Sequence, residues 1–288
     1  MINIDANYKD KSLITHYFNT KDYENLFYIA MQLNINNKIE SEEYVYKQIL
    51  EELYNVSYLQ AYNYLGHFYF NQNNISLGLK ILKEGASKEC VSCLTYLGEI
   101  YFIGYSVEKN FDNAIEYYEK AALLNDHFSI KFISSFFLCD LYPYKGLKSL
   151  NIFNRGKKLN IRDSLLCLVK IYESQKSETF DLGVVVSMKE KLLDEDNHEE
   201  VKELAFYYLK KIDNSNERYT KRMIELFEIS ANNDDIDSLC ILGYFYSKGN
   251  IVKRDLQKSL VYYEKAFQLG DIFAQEEVLK IKNKLINL

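Results

Sequence analysis

Cys90 and Cys93 are the two residues of this sequence that stand at metal-ligand spacing. A zinc site needs a second such pair or nearby histidines, and none follows in the sequence. Cys139, Cys167 and Cys240 fall inside helical apolar periodicity, where cysteine serves as a small hydrophobe. The four histidines, His16, His67, His127 and His198, are scattered, with no repeated acidic or nucleophilic neighbour. They form no triad and no HExxH motif. The acidic run Asp194 to Glu200 reads as a solvated loop and helix start. GNIVKRD, beginning at Gly249, follows a helical pattern rather than a strand, so it is not a phosphate loop. The expectation is no catalytic residue, no metal ligand and no cofactor.

The elements around these residues explain why chemistry is absent from the reading. At 288 residues the chain exceeds the usual single-core size, so it is two domains or one architecture that grows by repetition. One proline, Pro143, and 11 glycines are too few for many short strands and turns, so helices are expected. Tyr (26) and Phe (17) supply much of the apolar content while Trp is absent. Tyrosine suits half-buried surfaces between helices and at partner interfaces. A net charge of −6 lacks the basic field that nucleic acid or an anionic membrane requires. The opening MINIDANYKDKSLITHYF has no apolar signal core, and no apolar run is long enough to span a bilayer. Five unpatterned cysteines fit a reducing compartment with free thiols. A soluble, cytoplasmic chain is expected.

Self-similarity organises the rest. CLTYLGEIYFIG at Cys93 and SLCILGYFYSKG at Ser238 share one pattern, and AYNYLGHFYF at Ala61 is a third copy. The frame continues at Asn25, Ser129, Ser164 and Glu200, with a partial copy at Ala274, at spacings of 36, 32, 36, 35, 36, 38 and 36 residues. Apolar residues at i, i+3, i+4, i+7 and i+8 predict one helix per copy. Its sixth position is Ala30, Gly66, Gly98, Ser134, Val169, Ala205 or Gly243, mostly small, as close helix crossing demands. A second helix follows, best seen from Ala114 to Ala122 and from Ser259 to Phe267. Gly104 and Gly249 are placed to end the first helix, and Asn110 and Asp255 to cap the second. The predicted organisation is a capping segment at 1–24, seven helix-pair repeats over 25–273, and a capping helix at 274–288.

Gly104, Val107, Asn110, Ala114, Tyr117, Lys120, Ala121 and Ala122 in one copy carry a resemblance, as do Gly249, Val252, Asp255, Lys258, Tyr262, Lys265 and Ala266 in another. The pattern resembles the Sel1-like repeat, a relative of the tetratricopeptide repeat. The resemblance implies an all-α, right-handed α-α superhelical solenoid with a concave inner face that organises protein complexes. The middle copies depart from it. Ile133 and Ser134 replace Leu-Gly, and 173–199 shows no second-helix consensus, so a kink or widening is expected there. The related cysteine-rich solenoids cross-link each repeat, whereas most copies here lack two cysteines.

By analogy with tetratricopeptide grooves, the inner positions include Asn63, His67, Phe70, Glu99, Phe102, Lys131, Lys170, Phe206, Tyr244 and Lys248. Aromatics interleaved with charges there make interface anchors. The reading is therefore a non-catalytic module binding another protein or peptide in its groove, with no nucleic-acid or membrane partner. Two further readings stay open. Some Sel1-like proteins act as immunity proteins that neutralise secreted bacterial effector toxins, and others occur in host-associated bacteria as host-directed adaptors.

Overall fold

Sixteen α-helices make up the regular structure of the residues that the computed structural model describes, 10–35, 40–174, 182–211 and 217–286. They are α1 (Lys11–Thr20), α2 (Tyr23–Ile35), α3 (Glu40–Asn55), α4 (Leu59–Asn71), α5 (Ile75–Ser87), α6 (Val91–Ile103), α7 (Phe111–Leu123) and α8 (His127–Leu138). Then follow α9 (Leu147–Lys158), α10 (Arg162–Ser174), α11 (Leu182–Leu192), α12 (His198–Lys211), α13 (Glu217–Asn232), α14 (Ile236–Lys248), α15 (Leu256–Gln268) and α16 (Ile272–Ile286). No strand occurs among the described residues, and the architecture is an all-α solenoid of helix pairs. Parts of the expected caps, 1–9 and 287–288, and part of the divergent stretch, 175–181, lie outside the described residues.

Two compact units divide the chain, Met1–Leu168 and Val169–Leu288. In the first, α2 packs on α3, α4 on α5 and α6 on α7, and each pair packs on the next through α3 with α4, α5 with α6, and α7 with α8. In the second, α12 packs on α13, α13 on α14, α14 on α15, and α15 on α16. α11 stands where the sequence offered no second-helix consensus.

Steric demand explains the small sixth position. A Cβ on Gly66 would lie 2.5 Å from Leu82 Cγ, one on Gly98 2.9 Å from the Tyr118 ring, and one on Gly243 2.9 Å from the Tyr263 ring. Each glycine therefore seats a large side chain of the second helix against first-helix backbone, which offsets its roughly 1 kcal/mol helix penalty. Ala30 and Ala205 are fully buried. Ser134 instead shares a hydrogen bond of 2.8 Å with Ser164. Polar signals set the helix ends. Gly104 (φ +80°) and Gly249 (φ +74°) end α6 and α14 in the left-handed conformation. Asn110 accepts from the Asn113 N–H at 2.9 Å and Asp255 from the Lys258 N–H at 2.9 Å.

Tyrosine at the ninth position ties adjacent pairs together. The Tyr69 hydroxyl donates to Glu51 at 2.6 Å, Tyr208 to Glu190 at 2.6 Å and Tyr246 to Glu228 at 3.4 Å, always 18 residues back. Burial and the neighbouring carboxylate push the Tyr69 and Tyr208 phenols up, so both remain donors. The same register holds with other chemistry. Lys83 sits 5.9 Å over the Tyr101 ring, and Lys282 pairs with Glu264 at 2.7 Å.

The register changes at Phe137, which has no hydroxyl and packs on Phe153. Glu119, 18 residues before it, is buried on α7 and takes partners from the irregular loop between α8 and α9 and from the first turn of α9 instead. It accepts from the Tyr142 hydroxyl at 2.9 Å, from Lys145 at 2.7 Å and from Lys148. Burial alone would raise the carboxyl, but these three donors hold it below its ordinary value.

Candidate functional site

In unit 1 aromatic side chains of α4, α6 and α8 form two clusters. His67 on α4 stacks on Tyr96 of α6, with ring centroids 3.7 Å apart and planes at 13°. Burial lowers the His67 pKa, which favours the neutral ring against its neighbour. Burial, with Tyr105 and Glu99 nearby, pushes the Tyr96 phenol up to about 12. Farther along, Phe102 sits among Phe111 (5.6 Å), Phe132 (5.2 Å) and Phe136 (5.8 Å), each edge-on to it. Lys109 lies 4.5 Å from the Phe111 centroid. Ile103, Tyr105, Phe111 and Phe128 leave large apolar areas exposed beside this cluster, 61%, 51%, 48% and 56% respectively. Glu99 and Lys131 stand exposed on the same two helices. Such a surface can grip apolar side chains while its charged margin selects among partners.

Asn63, His67, Glu99, Phe102 and Lys131 lie on α4, α6 and α8 of unit 1. Asn63 is half-buried, and its Oδ1 is shielded without a hydrogen-bond partner among the described residues. Phe70 requires a correction. The groove analogy placed it on the exposed face, but it is 2% exposed. The turn from α4 to α5 is short, and Gly78 leaves space that the Phe70 ring fills, 2.5 Å from where a Cβ would stand. Tyr105 then covers the ring at 6.3 Å. Phe102 is its counterpart one copy later, where the longer loop to α7 leaves the ring half-exposed.

Lys170, Phe206, Tyr244 and Lys248 belong to unit 2. Phe206 is half-buried against Phe227 at 5.4 Å, and exposed Tyr244 lies under Lys248 at 5.7 Å. A cleft of about 620 Å³ in this unit is lined by Glu190, Tyr208, Arg218, Tyr219, Lys221 and Arg222, among others. The Arg222 guanidinium is already held by Glu190 at 3.1 Å and Glu195 at 3.0 Å.

Position in the repeat did not single out Tyr105, Phe111 and Phe128. The available signal was apolar residues in a loop and at two helix starts, where polar ones are usual. The remaining candidate residues are structural. Cys90 caps α6 and Cys93 lies one turn in; both are buried. Hydrogen bonding to Cys93 brings the Cys90 thiol down to about 6 against the opposing effect of burial, and the same contact raises Cys93. None of the five cysteines is in a disulfide. No group of three His, Cys, Asp or Glu that could hold a metal occurs among the described residues. Within the acidic run, the Asn197 side chain caps α12 by accepting from the Glu200 N–H at 3.4 Å, and the Glu200 carboxylate accepts from the Asp194 N–H at 3.1 Å. No helix among the described residues is long and apolar enough to cross a membrane.

The Sel1 repeat family matches residues 91–126 and 236–271, the segments that form α6 with α7 and α14 with α15. Those two segments are Sel1-like repeats. Similar solved structures include the SLR-fold protective antigen c5321 of uropathogenic Escherichia coli, at 17% identity, with 82% of this chain and 51% of that chain covered and a TM-score of 0.39. The Sel1-like chain thus spans about half the length of c5321. A Sel1 repeat protein from Oxalobacter formigenes is 16% identical, with 90% and 97% covered and a TM-score of 0.40. The immunity protein Pa5087 from Pseudomonas aeruginosa is 15% identical, with 66% and 73% covered and a TM-score of 0.26. No curated protein shows significant similarity to the chain.

Proposed function

We propose that this Sel1-like repeat protein is a non-catalytic binding module, acting in the cytoplasm, whose unit 1 first-helix face holds a segment of a partner protein. The observation that carries this reading is the half-exposed aromatic cluster around Phe102, with Phe111 and Phe128 turned to solvent beside it. A large apolar patch rimmed by charge is unusual on a surface that binds nothing. In this reading the chain holds seven helix-pair repeats starting at Asn25, those of unit 1 carry the surface, and the partner reads Glu99 and Lys131 at its margin.

The test compares intact protein with the Phe111→Ala/Phe128→Ala variant in affinity capture from native lysate, followed by mass spectrometry. Both side chains are about half exposed, so helicity by circular dichroism stays unchanged. A partner lost by the variant supports the assignment, whereas equal recovery by both proteins refutes it. Direct titration with the recovered partner then decides its consequence. Loss of that partner's enzymatic or toxic activity on binding makes this protein an inhibitor, and unchanged activity makes it a scaffold.

A further inference from the structure

α16 turns an apolar stripe away from the core of its own unit. Its inner side is complete, with Ala274, Val278 and Ile281 buried in the unit 2 core. On the other side Ile272 is 72% exposed, Leu279 57% and Ile286 80%. Seven residues span two helical turns, so these three fall on one line down the helix. The line is symmetric about Leu279, with an isoleucine seven residues away in each direction.

Charge on the helix is divided between its halves. Glu276 and Glu277 precede Leu279, with Asp271 just before the helix, and Lys280, Lys282 and Lys284 follow it. An antiparallel copy of the same helix sets acidic half against basic half and opposes the two helix dipoles. A parallel copy sets like charges side by side. The Glu276 and Lys280 side chains are 74% and 57% exposed, so both remain able to meet a second molecule.

We infer that α16 is a self-association face, on which a second copy of this chain docks antiparallel about a two-fold axis through Leu279. Leu279 then meets Leu279 of the second copy, and Ile272 meets Ile286 at each end, as an isologous interface requires. One helix pair buries less than the roughly 1,200 Å² of total area typical of stable complexes. The dimer is therefore dissociable, and its population rises with concentration.

Sedimentation equilibrium of the full chain, from low-micromolar to near-millimolar concentration, tests this directly. The expected result is a monomer–dimer equilibrium that Leu279→Glu abolishes while circular dichroism stays unchanged. Orientation is read by disulfide trapping in a Cys139→Ser background. Ile272→Cys mixed with Ile286→Cys should cross-link, whereas either variant alone should not. A chain monomeric at every concentration, a dimer indifferent to Leu279→Glu, or efficient cross-linking of Ile272→Cys with itself would each overturn the proposal.

Discussion

Glu119→Ala should loosen the loop between α8 and α9. The substitution removes a buried carboxylate and leaves the Tyr142 hydroxyl, on a side chain 1% exposed, without its acceptor. An orphaned buried donor costs about 1 to 3 kcal/mol. Lys145 and Lys148 are 39% and 42% exposed, so the loss of each ion pair adds only about 0 to 1 kcal/mol. The expected total is roughly 1 to 5 kcal/mol. Glu119→Gln keeps an acceptor for Tyr142 and should cost less. Because the folded carboxyl titrates below its ordinary value of 4.5, its contribution is complete above that pH and is lost as pH falls below it. Thermal unfolding between pH 3 and 7 (about the range this linkage spans), with hydrogen exchange of residues 139–146, measures both effects. Glu116→Ala, which removes an exposed pair with Lys120, is the control. If Glu119→Ala shifts the melting temperature no more than Glu116→Ala, or if Glu119→Gln shows the same acid profile as the parent, the clamp is wrong.

Gly243→Val should destabilise by about 1 to 3 kcal/mol, because its side chain must displace the Tyr263 ring; a melting temperature equal to the parent's would contradict the close crossing. Tyr208→Phe should cost about 1 kcal/mol in chemical denaturation, since Glu190 keeps Arg222 when the hydroxyl is lost. His67 has a folded pKa below its ordinary 6.5, so stability should fall as pH drops through and below 6.5. His67→Phe should flatten that part of the pH profile and preserve the stack on Tyr96, as read by thermal melts in that interval.

Where one residue type has one physical use, the fold was legible in the sequence. Gly104 and Gly249 end helices because they adopt positive φ cheaply, and Asn110 and Asp255 cap because their side chains reach the backbone two or three residues on. The small sixth position is likewise a direct trace of helix crossing. The candidate surface was less legible, because exposure depends on neighbours that periodicity does not name. Phe70 and Phe102 occupy equivalent positions, yet Gly78 and Tyr105 bury the first while a longer loop leaves the second half-open. The Glu119 clamp was also hidden, since Tyr142 lies in an irregular loop whose path no repeat dictates.

The 18-residue register from glutamate to tyrosine has a mechanical consequence. Each tie spans one junction only, between a helix and its neighbour along the stack. Force applied along such a stack is borne in series, so one junction can part while the next stays closed. The lysine that occupies the tyrosine's place at Lys282 makes its junction responsive to ionic strength, whereas the phenol ties are far less so. Drawn out under load, each unit should yield in separate steps, with salt changing the step at Lys282 and leaving that at Tyr69 nearly unchanged.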